Sequence, residues 1–150
     1  MTRSDRAGNT TVSEKRRRLP QEQLSVGVDL VSVADVAAAL HRFGDRYVRR
    51  IFTEREAAYC RAAKGAAAAA RFAARFAAKE AAVKALQPDG PWTDWRAIEV
   101  HRHRTGRCTL TLHREAASLA RRRGIRQLSL SMSHDGDRAT AFVAGQSPER

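Results

Sequence analysis

The chain has 150 residues, a formal net charge of +12, 43% hydrophobic and 29% charged residues. That length accommodates one domain with a single core, and no apolar run approaches the roughly 20 residues needed to cross a bilayer. No apolar segment follows the basic N-terminus, so a secretory signal is not expected. Cys60 and Cys108, the two cysteines, are far apart in sequence and are expected as reduced thiols of a cytoplasmic protein.

Residues 1–24 lack apolar periodicity and are expected to form a disordered basic arm. They hold six cations (Arg3, Arg6, Lys15, Arg16, Arg17, Arg18) against three acids (Asp5, Glu14, Glu22), leaving most of the positive charge to the remainder. Such a surface attracts anions: nucleic acid, phosphorylated cofactors, anionic lipid or an acidic protein. Order begins at LSVGVDLV, a β-branched run suited to a buried strand. Ser32 caps a predicted helix, VADVAAALHRFG, that stops at Gly44. One or two basic turns, DRYVRRIF, follow. Thr53 and Glu56 have capping-box spacing and predict a helix running to about Lys64.

The next helix is Ala-rich and ends before Pro88. On its wheel Leu86, Phe72, Val83 and Phe76 share an arc of roughly 80°. Lys79 lies inside that arc and Glu80 about 40° beyond Phe76. Two charges on or beside a packed face call for a chemical reason. Beyond the QPDGP turn, WRAIEVHRHR and RCTLTLH flank Thr105-Gly106 as a hairpin. REAASLARRRG reads as helix, QLSLSMSH alternates as a strand, Asp135-Gly136-Asp137 turns, and RATAFVAG closes as the last strand. The predicted class is α+β with a mainly antiparallel sheet packed on a long helix, occupying residues 25–145, with 146–150 as a tail.

Two motifs carry a resemblance: Gly27-Val28-Asp29 on the first strand and Phe76-Ala77-Ala78-Lys79-Glu80-Ala81-Ala82-Val83-Lys84 on the long helix. In this order, and with the intervening RFGDRYVRRIFTEREAAYC, the chain resembles the 4′-phosphopantetheinyl transferase superfamily, of the small holo-acyl-carrier-protein synthase type. The resemblance implies transfer of phosphopantetheine from coenzyme A to a serine of a carrier protein, with release of 3′,5′-ADP. It implies Mg²⁺ held by Asp29 and Glu80, since that ion takes one or two carboxylates and completes its shell with water and phosphate. Lys79 and Lys84 are expected to neutralise phosphate charge, Lys79 packing its stem while its ammonium reaches a cleft. Arg75 is expected near the nucleotide phosphates and His134 at the adenosine end. Asp29, Glu80 and Lys84 therefore form the expected catalytic set.

The same resemblance implies a homotrimer whose sites lie between subunits, with Asp29, Glu80 and Lys84 from one and Arg75 and His134 from the next. It also implies that Arg42, Arg46, Arg49 and Arg50 dock an acidic acyl carrier protein, with salt-dependent association. The chain departs from the family pattern at the QPDGPWTDW segment, at Cys108 after Gly106-Arg107, and at Asp35, where relatives often have a basic residue. Two other readings stay open: a catalytically weakened homologue that only binds a carrier, and a basic nucleic-acid-binding protein. Against the second, the strands offer no aromatic stacking platform. His101, His103 and His113 are read as residues of an Arg-rich strand region rather than a zinc site.

Overall fold

The computed structural model describes residues 22–148. The expected basic arm thus lies outside the described residues up to position 21. Its last residues do not: β1 spans Glu22–Ser32. At the other end β5 spans Arg138–Pro148, so residues 146–148 are strand and not tail. The reason is the antiparallel ladder, which pairs Glu22 with Pro148 and continues without interruption to Ser32 and Arg138.

Between them lie α1 (Val33–Phe43), α2 (Asp45–Ile51), α3 (Glu54–Arg61), α4 (Gly65–Leu86), β2 (Ile98–Arg102), β3 (Cys108–Leu112), α5 (Arg114–Arg122) and β4 (Leu128–Asp135). The α+β class holds, but the strands form two sheets, β1-β5-β4 and a separate β2-β3 hairpin. Trp95–Ala97 is a 3-10 turn and shortens the expected first strand of that hairpin.

The local signals act as elementary chemistry dictates. Ser32 Oγ accepts from the Asp35 amide at 3.2 Å and starts α1. Gly44, at φ 53°, ends it in a conformation that a side chain would disfavour. Thr53 and Glu56 cap α3 reciprocally. Asp137, in the turn joining β4 to β5, accepts from the Ala34 amide at 2.8 Å and so fastens α1 to the sheet.

Helix α4 is the spine. Its packed side is wider than the predicted arc, because Ala73, Ala74, Ala77, Ala78, Ala81, Ala82 and Ala85 are all buried. Small side chains allow sheet and helix backbones to approach closely. A Cβ added at Gly27 would lie 1.9 Å from the Ala81 carbonyl oxygen. The facing residues of β5, Ala139, Ala141 and Val143, are buried as well. The other sheet face is open: Leu24, Val26, Val28, Leu30 and Phe142 are each about half exposed or more.

Candidate functional site

Strand alternation carries the consequence of Gly27. Residues 27, 29 and 31 share the face that meets α4, and Asp29 comes opposite the Glu80–Lys84 turn. Lys84 Nζ donates to Asp29 Oδ1 at 2.8 Å and to the Val28 carbonyl at 2.9 Å. Thr140 Oγ1 donates to the Asp29 carbonyl at 2.9 Å and fixes the strand from its other side. Glu80 is half-buried, and its carboxyl is held above the ordinary value near 4.5, first by desolvation and then by the charge of Asp29; Lys84 acts in the opposite direction. Thus Asp29, Glu80 and Lys84 are brought together, and the two carboxylates feel each other. Lys84 pairs with Asp29 across the strand, 55 residues away in sequence, and not with Glu80 one turn before it.

Among the described residues no group of three or more His, Cys, Asp or Glu side chains is gathered to hold a metal. Two carboxylates alone fit Mg²⁺, which recruits the rest of its octahedron from water and substrate phosphate.

Lys79 corrects the sequence reading. Its ammonium does not reach a cleft. The side chain is fully buried, 2.9 Å from an equally buried Glu56. It also donates to the Trp95 carbonyl at 3.0 Å and to the Ile98 carbonyl. Glu56 in turn accepts from the Thr53 amide at 2.8 Å and the Val100 amide at 2.9 Å. Burial pushes the lysine pKa down while Glu56 pulls it back. This pair joins α3, α4 and β2 inside the core. Glu56 was legible only as a helix cap, because nothing in the local sequence names its partner 23 positions away.

Arg75 and His134 line a different place, a cleft of about 1080 Å³ between α4, β3, α5 and β4. Asp29, Glu80 and Lys84 are not among its lining residues. Arg75 is only 3% exposed; its guanidinium lies 4.1 Å from the Tyr59 ring centroid and its Nε has no partner. A buried, underused guanidinium beside a cavity suits an anionic ligand. Arg71, Arg102, Arg107, Arg121 and Arg126 also line the cleft. Sequence reasoning passed over them; Arg71, four residues before Arg75 on one helix face, carried the one available signal. Cys108 lines the same cleft, whereas Cys60 is buried with its thiol pushed up to about 11, and both are free.

Arg42, Arg46, Arg49 and Arg50 are exposed around the junction of α1 and α2. No described helix is long and apolar enough to cross a membrane.

Residues 25–143 match the family model described as the 4′-phosphopantetheinyl transferase superfamily. A holo-[acyl-carrier-protein] synthase from Herpetosiphon aurantiacus is 42% identical over 124 residues, covering 81% of this chain and 98% of the relative. A Chronobacterium ammoniagenes structure described as an ACPS–CoA complex is 33% identical with a TM-score of 0.73, covering 85% and 99% of the two chains. The Helicobacter pylori holo-[acyl-carrier-protein] synthase, solved in complex with coenzyme A, is 29% identical with a TM-score of 0.68, covering 80% and 98%.

Proposed function

Because the chain belongs to the 4′-phosphopantetheinyl transferase superfamily, we propose that it transfers 4′-phosphopantetheine from coenzyme A to a serine of an apo acyl carrier protein. The serine oxygen forms a bond to the phosphorus bearing pantetheine. The bond from that phosphorus to the departing 3′,5′-ADP breaks, and the serine proton is released. The observation that carries this reading is the convergence of Asp29, Glu80 and Lys84 across the β1–α4 contact.

Asp29 and Glu80 would hold Mg²⁺, which when bound supplies positive charge to a diphosphate. Lys84, half exposed and tethered to β1, places its ammonium where charge accumulates on the leaving phosphate. Arg75 and His134 bind the nucleotide end of coenzyme A within the arginine-lined cleft. Since that cleft does not include the acidic pair, the complete site is assembled between subunits of a homotrimer. The open apolar sheet face formed by Leu24, Val26, Val28, Leu30 and Phe142 supports such an assembly, being a contiguous patch that water does not favour. Arg42, Arg46, Arg49 and Arg50 receive the acidic carrier, the catalytic domain is the span 25–145, and the enzyme works in the cytoplasm.

The test is direct. Protein incubated with Mg²⁺, coenzyme A and an apo carrier protein adds one phosphopantetheine mass to the carrier, and adds none when the carrier serine is replaced by alanine. Coenzyme A binding without transfer to any acyl or peptidyl carrier would overturn the transferase reading in favour of a silent carrier-binding homologue.

A further inference from the structure

Six large apolar side chains stand exposed among the described residues, and five of them share the outer sheet face. The sixth is Phe43, 49% exposed at the last residue of α1. The Arg42 guanidinium lies 5.0 Å from its ring centroid. Gly44 turns the chain at once into α2, where Arg46, Arg49 and Arg50 are exposed while Val48 and Ile51 hold the helix to the core. None of these four arginines has an acidic partner among the described residues, and the acid between them, Asp45, is taken by Arg61 at 2.5 Å. The result is a bare phenyl ring inside a patch of unpaired positive charge.

Charge alone steers a partner but holds it weakly, since exposed pairs are screened by water and salt. Residence depends on a desolvated apolar or aromatic contact with charged groups around it. Phe43 contributes little to the fold from its exposed position, so its ring is available for that contact. Resting on the transferase reading above, we propose that Phe43 is the apolar anchor of the carrier site. Its partner is an acidic helix that presents an apolar side chain to the ring while flanking carboxylates meet Arg42, Arg46, Arg49 and Arg50. Asp35, exposed seven positions before Arg42 and hence on the same side of α1, repels acidic groups from the other end of the helix. The field therefore concentrates the partner at the α1–α2 corner.

Initial rates measured with carrier and coenzyme A varied separately test the proposal. Phe43→Ala lowers kcat/KM for the carrier about 5- to 10-fold, leaves KM for coenzyme A unchanged, and leaves the salt dependence of carrier association unchanged. Phe43→Leu restores most of the loss. Arg46→Ala with Arg49→Ala flattens the salt dependence instead. A Phe43→Ala protein with unaltered carrier kinetics, beside an active parent enzyme, sinks the anchor and spares the transferase reading. The same holds if Phe43→Ala shifts only the oligomeric mass, for the ring is then covered by a second copy. A parent protein that modifies no apo carrier takes down both.

Discussion

Two lysine–carboxylate pairs sit one helical turn apart on α4, and they have opposite fates. Lys79 and Glu56 are both fully buried, 2.9 Å apart, with the surrounding carbonyls and amides completing their hydrogen bonds. Lys84 and Asp29 are 2.8 Å apart, but their side chains are 53% and 19% exposed. The chemistry of the pairs is the same and the solvent differs. In the first, water is excluded and both charges are committed to each other. In the second, the charges stay within reach of a ligand. Beside that open pair, Glu80 ionises against the charge of Asp29, which is how a site prepared for a cation differs from a core bridge.

The contrast is easiest to break from the buried side. Lys79→Met leaves Glu56 as an uncompensated buried charge and costs about 3–5 kcal/mol in denaturant unfolding. Adding Glu56→Gln recovers part of that loss but not all, because the glutamate oxygens also accept from the Thr53 and Val100 amides. Full stability in Lys79→Met would show that the two pairs are energetically alike.

Glu80→Gln acts the other way. Transfer falls roughly 10²- to 10³-fold, the magnitude typical of removing one charge-stabilising group at a reacting centre, while the fold becomes more stable. Since the folded-state pKa of Glu80 is raised above about 4.5, the carboxyl is protonated in both states below that pH and carries no penalty. The penalty appears as pH rises and is complete above the folded-state value. Thermal melts from pH 4 to 8 should therefore show the Gln variant gaining on the parent as pH increases. A constant difference across that range would contradict the placement of the two carboxylates.

Gly27→Ala sharpens the comparison through the backbone that carries Asp29. With the Ala81 carbonyl 1.9 Å from the new Cβ, β1 must lift from α4 at a cost of about 3 kcal/mol, the upper end of ordinary overpacking. The Asp29–Lys84 bond is lost with it, and transfer declines more than stability alone explains. The smallest effect belongs to Lys84→Met, which removes a half-exposed pair and costs at most about 1 kcal/mol. Its activity nonetheless collapses. Stability and activity thus separate at Lys84, while at Lys79 both are lost together.

Much of this molecule is written in local signals. The Ser32 cap, the Thr53–Glu56 box, the stop at Gly44 and the β4–β5 turn are decided by side chains within a few residues of each other, and the strand alternation places Gly27 and Asp29 on one face. The two motifs that identify the family are equally linear. Lys79 was not legible, because the helical wheel gives a direction and cannot say whether core or cleft lies in it. Glu56 waits on the interior side of that direction, 23 residues earlier, and only the packing of α3 and β2 against α4 brings it there.

The sequence by itself determined the elements, the family and the identity of the three groups expected to act, since caps, periodicity and motifs are short-range properties of the chain. The tertiary structure decided which charges meet solvent and which meet each other, because desolvation depends on neighbours that are remote in sequence. It also separated the arginine cleft from the acidic pair and left one sheet face open, features that arise only when five strands and five helices are arranged in space.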